Sequence, residues 1–473
     1  MSKNDRRDFL RGLGSVVMAG GAAAFLPQLR LLGTAMAAEL PKGGNDYRAL
    51  VCVYLGGGND AYNMLVPRAQ SAYNVYQATR GGIYNPQSNP SGLALARETL
   101  LPVSPLGGGD FGLHPSCAGM QALFQQQRLA FVANVGALVQ PTTKQQYLDR
   151  SVPLPPELFS HNSQTTLWHN SRTDLRHPFG WGGDIASRID TGAVPGGLSP
   201  CISIAGNARY LLGPQIKPYQ MRTTGPVPLS TGSTGLNTAG RARRDQAIQE
   251  MLALDYDHLF EREYRGVLKR SLDLHDVIRA ELDADPPLDT VFPAENSLAS
   301  QLRMVAQMIR ASRRPAINHR RQIYYVSLGG FDTHGGQMAA NGQPLLMERL
   351  SQALAAFQSA LAEIGAASDV VTFSMSEFAR TLTTNGNGSD HAWGSVQLVM
   401  GAPVSGQRVF GTYPVLDIDG AGTLTRGRVV PTLAVDQIAS TLARWMGVSD
   451  IALDTIFPNL GNFSPRTLPF LPL

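Results

Sequence analysis

Residues 323–334, IYYVSLGGFDTH, contain the pattern that decides the predicted fold. A short apolar run ends at a pair of glycines, and an aspartate and a histidine follow directly. Apolar runs also precede polar residues in 50–60 (LVCVYLGGGND) and in 370–380 (VVTFSMSEFAR). Runs of this length, rich in β-branched residues, predict buried β-strands. A fourth polar segment, GSDH at 388–391, follows a loop rich in Gly and Asn.

The polar residues of these four segments are expected to meet at one place. In an open α/β sheet, ligands bind at the carboxyl ends of the strands. Asp332 and His334 are two residues apart, so in an extended backbone both side chains point to the same face. Carboxylates and imidazoles brought together in this way are typical of a metal site. The sequence therefore predicts a metal site at one edge of a sheet.

The order of segments along the chain predicts the fold class. Further strands are predicted at 129–135 and 201–205, and helices at 118–126, 241–283, 296–312, 345–366 and 435–445. Alternating strands and helices favour a three-layer α/β fold, with a mainly parallel sheet and helices on both faces. We expect 38–473 to form one domain, with a helical insertion or lid around 241–315 and a flexible connection at 226–240.

The first 37 residues are typical of a twin-arginine signal peptide. Arg6 and Arg7 precede Phe9 and Leu10, an uncharged stretch covers 12–29, and Ala-Met-Ala at 35–37 supplies a cleavage site. The alternatives are an ordinary signal peptide or an uncleaved anchor, but the arginine pair followed by Phe-Leu favours the twin-arginine route. That route exports folded proteins, often after a cofactor has been loaded. The mature protein is therefore expected in the periplasm or outside the cell.

Composition limits the classes of partner. The formal charge of +4 belongs mostly to residues 1–37, which hold five Lys/Arg and two Asp/Glu, so the mature chain is near +1 (35 minus 34). This balance gives no reason to expect a nucleic-acid partner, and no later apolar run is long enough to span a bilayer. Cys52, Cys117 and Cys201 leave open one disulfide plus one thiol, although Cys52 lies in a strand pattern typical of the core. The oligomeric state stays open.

The motifs together resemble the DUF1501 family of exported bacterial proteins over essentially the whole mature chain. They are the leader, Gly-Gly-Asn-Asp ending at 60, Ser-His at 160–161, Phe-Asp-Thr-His at 331–334, Ser-Glu-Phe-Ala-Arg-Thr at 376–381 and Asp-His at 390–391. At the fold level this family is similar to the alkaline phosphatase and sulfatase superfamily. That resemblance implies one or two divalent ions (Zn, Mn, Mg or Ca) and a small anionic phosphate or sulfate ester as substrate.

The resemblance also implies a set of metal ligands. They are Asp60, Asp332, His334, Glu377 and His391, with Asp390 beside the last histidine. Ser376-Glu377 stands where the superfamily usually has Asp-His, so one imidazole is missing. This departure implies that a second metal site is altered or absent.

The catalytic groups that the resemblance implies are a hydroxyl and a cation. The superfamily places its nucleophile at a helix N-terminus, where backbone N–H groups favour an anion. Ser160 is the first candidate and Thr165 the second, although Ser160 also fits a simple N-cap. Arg380 or His161 is expected to line the anion's exit side. Arg380 either pairs with Glu377 or holds an anionic substrate. No segment for formylglycine formation occurs. Two functions stay open: a metal-dependent ester hydrolase, or a non-catalytic exported binding or assembly protein.

Overall fold

The central sheet is the main feature of the computed structural model, which describes residues 46–194, 197–227 and 237–473. The predicted signal peptide and most of the predicted connection at 226–240 lie outside these residues. The strands are β1 (Arg48–Gly56), β2 (Leu65–Pro67), β3 (Leu101–Val103), β4 (Phe111–Leu113), β5 (Leu129–Gly136), β6 (Cys201–Ser203), β7 (Tyr219–Arg222), β8 (Gly225–Pro226), β9 (Arg321–Gly329), β10 (Val370–Met375), β11 (Ser395–Met400), β12 (Val409–Phe410), β13 (Thr423–Leu424), β14 (Arg428–Val429) and β15 (Leu433–Ala434).

The helices account for most of the remaining regular structure. They are α1 (Ala61–Met64), α2 (Gln70–Thr79), α3 (Ala118–Gln125), α4 (Lys144–Asp149), α5 (His161–Asn170), α6 (Trp181–Ala186), α7 (Thr238–Ala253), α8 (Leu259–Asp283), α9 (Ser297–Ser312), α10 (Gln343–Glu363), α11 (Val435–Met446) and α12 (Asp450–Ile456). Gly447 ends α11 in the left-handed conformation, with φ of 105°, which glycine adopts without steric cost.

The strand order brings four chain segments to one edge of the sheet. Within the described residues, ten strands form it, in the order β12-β5-β11-β10-β1-β9-β6-β7-β8 with β15 beside β5. β10, β1, β9, β6 and β7 run parallel, so β1, β9 and β10 end together. β11 is antiparallel to β10. The segment that precedes β11 therefore arrives at the edge where those three strands end.

The two faces of the sheet are covered by different helices. Val51 and Val53 of β1 point into one apolar core, which α9 and α10 complete, while Cys52 and Tyr54 point into the other, which α6 and α11 complete. This alternation follows from the two-residue period of a strand. Each buried valine or leucine contributes about 1.5–3 kcal/mol relative to an exposed one. The predicted three-layer α/β fold with a mainly parallel sheet is confirmed.

The predicted helical insertion at 241–315 divides into two parts. α9, at its end, packs on the sheet with most of its apolar side chains buried and so is not part of a lid. α7 and α8 lie further out, and α8 reaches the core through Leu274, Ile278 and Leu282. Its first turns expose Phe260 and Tyr264, whose relative exposures are 76% and 72%.

The three cysteines are buried and free, so the disulfide that the sequence left open is not formed among the described residues. Cys52 is a core residue of β1, as its strand pattern indicated. Across the residues that the structure describes, no helix combines the length and the apolar character needed to cross a membrane.

Candidate metal centre

A glycine turn after β1 lets two strand ends approach each other closely. Gly57 and Gly58 have φ of 115° and 80°, in the left-handed region. A Cβ atom on Gly57 would lie 2.3 Å from the backbone nitrogen of Asp332, which leaves no room for a side chain. This close approach places Asp332, which follows β9, beside the residues that follow β1.

Three imidazoles surround one carboxylate oxygen at this edge. Asp332 Oδ1 lies 3.1 Å from Nε2 of His334 and 3.4 Å from Nε2 of both His161 and His391. The Nε2 atoms of His334 and His391 are themselves only 2.9 Å apart. His161, Asp332 and His391 each offer a ligand atom within 4.8 Å of the others, and they are the group among the described residues that could hold an ion. The structure therefore brings together Asp332, His334 and His391 of the predicted ligands, and adds His161.

The Nδ1 atom of each imidazole lies within hydrogen-bond distance of an oxygen. His161 Nδ1 lies 2.8 Å from Glu377 Oε1, and His334 Nδ1 lies 2.8 Å from Asp390 Oδ1. His391 Nδ1 lies 2.7 Å from the carbonyl oxygen of Phe159.

These contacts decide the tautomers of the three rings. A carbonyl or carboxylate oxygen can only accept a hydrogen bond, so each Nδ1 carries the proton and donates it. The neutral ring then presents the lone pair of Nε2. Three such lone pairs lie within 3.4 Å of one carboxylate oxygen, and their mutual repulsion requires a proton or a metal cation among them.

The charges at the site shift its pKa values in opposite directions. The hydrogen bond from His161 to Glu377 raises the pKa of His161 against the effect of its partial burial. Burial lowers the pKa of His391. Partial burial alone would raise the pKa of Asp332, but the hydrogen bond and charge of Arg380, with the neighbouring imidazoles, hold it below its usual value. The centre therefore combines an ionised carboxylate with imidazoles of differing basicity.

The donor spacing around Asp332 Oδ1 resembles that around a metal ion of modest size, and His161, Asp332 and His391 are the set whose ligand atoms all lie within 4.8 Å of one another. Four ligands at about 2.0–2.2 Å from a tetrahedral ion lie roughly 3.3–3.6 Å from one another. The three distances from Asp332 Oδ1 to the imidazole nitrogens are close to this spacing, while the two nitrogens of His334 and His391 lie slightly closer together. Imidazole and carboxylate are both common ligands of such ions.

Glu377 and Asp390 lie behind the imidazoles, not at the point where the Nε2 atoms meet. Glu377 is 3% exposed, and its oxygens accept hydrogen bonds from the backbone of Gly57 and the hydroxyl of Tyr54 as well as from His161. Asp390 holds His334. Both were predicted as metal ligands from the family resemblance, whereas in the structure their oxygens contact the Nδ1 atoms of His161 and His334.

Asp60 is not brought into the cluster. Its carboxylate forms a buried ion pair with Arg80 and accepts a hydrogen bond from Gln337 Nε2 at 2.5 Å. The side chains of Arg80 and Asp60 are 0% and 1% exposed. A fully buried guanidinium requires a nearby negative charge, and Asp60 supplies it. These contacts of Asp60 are made through Oδ2, and Asp60 is not among the residues of the candidate metal group.

Arg380 holds the cluster together instead of facing an open site. Its guanidinium is fully buried and donates to Asp332 Oδ1 at 2.8 Å, to the carbonyl of Gly57 at 3.2 Å and to the carbonyl of Ser389. One of the two sequence-based hypotheses was an ion pair between Arg380 and Glu377. None of these contacts is with Glu377. These hydrogen bonds orient Asp332, and the full burial of the guanidinium keeps it from facing an anionic substrate in open solvent.

The hydroxyl candidates lie on α5, whose first residue is His161. Ser160 is the N-cap residue of α5, yet its side chain makes no capping hydrogen bond, so the simple N-cap role is not realised. Thr165 Oγ1 lies 2.7 Å from the hydroxyl of Tyr54, which in turn donates to Glu377. His161 was predicted to lie beside the substrate, and its place in the cluster was not predicted. Its position at the start of a helix, in the Ser-His motif, was the available signal.

Comparison with known proteins identifies the family. A family model described as "Protein of unknown function (DUF1501)" matches residues 47–450. The chain belongs to the DUF1501 family. The resemblance inferred from the motifs is thereby confirmed. A search of curated proteins finds no match to this DUF1501 chain.

Several solved structures align with the DUF1501 chain at low similarity. The lipoteichoic acid synthase LtaP from Listeria monocytogenes aligns at 8% identity and a TM-score of 0.31, over 89% of this chain and 78% of that one. The PsFucS1 sulfatase from Pseudoalteromonas sp. aligns at 9% identity and a TM-score of 0.31, over 86% of this chain and 68% of that one. The phosphonate monoester hydrolase of Agrobacterium radiobacter aligns at 13% identity and a TM-score of 0.30, over 85% of this chain and 74% of that one. Values this low carry no inference about the fold or activity of this chain.

Proposed function

We propose that this DUF1501 protein is exported and hydrolyses phosphate or sulfate esters with a divalent metal ion held by His161, Asp332, His334 and His391. The observation that supports this proposal is the convergence of three Nε2 lone pairs on one carboxylate oxygen, with each Nδ1 held from behind. An ion bound there would polarise an ester oxygen and lower the pKa of an attacking hydroxyl or water.

The chain's own residues would hold and orient the reacting groups. Arg380 donates a hydrogen bond to Asp332, which fixes the carboxylate and partly neutralises its negative charge. Phe378 stacks on His391 at a ring separation of 4.7 Å and contacts His161 at 4.9 Å, so it shields one side of the cluster from water. Ser160 precedes His161 at the N-terminus of α5, where free N–H groups favour an anion. We therefore keep Ser160 as the first nucleophile candidate and Thr165 as the second.

The proposal is tested on the purified mature protein, residues 38–473. Metal analysis gives the ion content, and turnover of aryl phosphates and aryl sulfates is measured after reconstitution with Zn, Mn, Mg or Ca. We expect about one ion per chain and turnover that chelation abolishes. Ser160→Ala should abolish turnover if Ser160 attacks directly, and Thr165→Ala tests the second candidate in the same way. Residual activity in the variant that lacks both hydroxyls would indicate an attacking water.

The second candidate is a non-catalytic exported binding or assembly protein. Two observations favour it: Thr165 already bonds Tyr54, and Arg380 is fully buried and already donates to Asp332 and to two backbone carbonyls. A protein that binds a stoichiometric ion yet turns over no ester with any of the four metals would support this second function and overturn the first.

Export is tested through the arginine pair. Replacing Arg6 and Arg7 together by lysine should leave precursor in the cytoplasm, because the twin-arginine route requires the pair. The fractions are compared by immunoblot, with Arg11→Lys as a control that keeps the charge outside the pair. An unchanged periplasmic yield of the double variant would show that another route is used.

A further inference from the structure

We propose that Glu377 and Asp390 are positioning residues, and that they make this an imidazole-rich site which prefers Zn²⁺ and similar first-row ions to Mg²⁺ and Ca²⁺. The inference rests on the metal site of the proposed function, but not on hydrolysis. It assigns the two carboxylates a role different from the ligand role that the family resemblance implied.

The oxygens of Glu377 are already engaged. Oε1 accepts from the Gly57 backbone at 2.9 Å and from His161 Nδ1 at 2.8 Å, and Oε2 accepts from the Tyr54 hydroxyl at 3.0 Å. The side chain is 3% exposed. Oε1 already accepts two hydrogen bonds, the number that its two lone pairs allow, and would have to break one to bind an ion. Glu377 is therefore placed to hold His161 and not to bind metal.

Asp390 repeats this arrangement behind His334. Its Oδ1 accepts from His334 Nδ1 at 2.8 Å and from Asn385 Nδ2 at 3.1 Å, and its Oδ2 pairs with Arg426. A carboxylate on the Nδ1 side of a ligating histidine fixes the ring and makes its Nε2 a stronger donor. Two of the three rings have such a carboxylate, and the third, His391, has a backbone carbonyl.

The donors that remain for an ion are mostly nitrogen. They are three Nε2 atoms and one oxygen, and that oxygen, Asp332 Oδ1, also accepts a hydrogen bond from Arg380. Ca²⁺ takes six to eight oxygen ligands and Mg²⁺ demands a near-octahedral oxygen shell. Imidazole suits Zn, Cu, Fe and Ni. The donor set therefore favours the second group of ions.

The test measures metal binding without turnover. Apo mature protein is titrated calorimetrically with Zn²⁺, Co²⁺, Mg²⁺ and Ca²⁺, and the visible spectrum of the Co²⁺ form reports the coordination. We expect Zn²⁺ and Co²⁺ to bind about 10³-fold more tightly than Mg²⁺ or Ca²⁺, or tighter still. Equal or tighter binding of Mg²⁺ or Ca²⁺ would overturn the preference.

The positioning role is tested by Glu377→Gln, which keeps an acceptor for His161 but removes the charge. Zn²⁺ affinity should fall about 10–100-fold, the usual loss when such a partner is changed. The Co²⁺ spectrum should keep its shape, because no ligand is lost. Asp390→Asn should behave in the same way. Glu363→Gln, on a carboxylate that bonds the backbone at 289–290, is the matched control and should leave affinity unchanged.

Two results would contradict the positioning role: unchanged Zn²⁺ affinity in Glu377→Gln, or a Co²⁺ spectrum that shows a lost ligand. Thermal melting of the apo variants establishes that they are folded. Zinc binding without any ester turnover would overturn the hydrolase proposal alone. Turnover supported only by Mg²⁺ or Ca²⁺ would overturn this inference alone.

Discussion

Replacing His391 by alanine is expected to remove the bound ion and to lower kcat/KM for the hydrolysed ester by about 10³-fold or more. His391 is central to the cluster, since its Nε2 lies 2.9 Å from that of His334 and 3.4 Å from Asp332 Oδ1. In the proposed centre, its removal takes away one of the four ligands of the ion. Polarisation of the ester by an ion contributes several kcal/mol to the rate, and each 1.36 kcal/mol corresponds to a factor of ten.

The measurement pairs metal content with steady-state kinetics on the same preparation. His275→Ala on α8 is the matched control, because it removes a histidine that takes no part in the cluster, and it should keep both the ion and the rate. The circular dichroism spectrum of His391→Ala should match that of the parent. A variant that keeps a full ion and a normal rate would exclude His391 as a ligand and with it the proposed centre.

The location of the candidate centre was predictable from short sequence patterns. An apolar run identifies a buried strand, and polar residues directly after it must lie at the strand's carboxyl end. This reasoning placed Asp332 and Glu377 at one edge, where the structure has them. His391 follows a loop and was added to the group through its polar segment; it reaches the same edge because it precedes the antiparallel strand β11, which was not predicted from the sequence. The prediction succeeded because local patterns identify where each strand ends, and in a parallel sheet the carboxyl ends of neighbouring strands lie at the same edge.

The role of each side chain was less predictable, because it depends on partners far away in the sequence. Glu377 follows its strand as Asp332 does, and both are acids. Glu377 turns to Gly57 and Tyr54, more than 300 residues earlier, and no local pattern encodes those contacts. The oxygen that accepts the hydrogen bond from His391 Nδ1 is the backbone carbonyl of Phe159, and side-chain motifs cannot reveal a backbone acceptor.

Asp60 shows how a residue of the right type can serve another purpose. The resemblance implied that it binds metal, and under that hypothesis Asp60→Ala abolishes turnover and leaves folding intact. In the structure Asp60 is paired with Arg80, which lies at the end of α2, only 20 residues later in the sequence. The partner was close in sequence, but nothing in the motif indicated that this arginine would be buried.

Replacing Asp60 by alanine is therefore expected to destabilise the fold. Urea denaturation of the apo protein should show the free energy of unfolding lowered by about 3–5 kcal/mol, because Arg80 is left buried without a counter-charge. The hydrogen bond from Gln337 is lost as well. Zinc affinity, measured on the fraction that remains folded, should stay within a few-fold of the parent, since Asp60 lies outside the imidazole cluster.

A double-mutant cycle separates the ion pair from other effects of the substitution. Arg80→Met should also be strongly destabilising, but Asp60→Ala with Arg80→Met should cost less than the sum of the two, because no lone buried charge remains. Asp273→Ala breaks the exposed pair with Lys269 and should cost at most about 0.5 kcal/mol. If Asp60→Ala left the unfolding free energy unchanged while the ion was lost, Asp60 would be a ligand after all, and the buried pair with Arg80 would not be the state that binds metal.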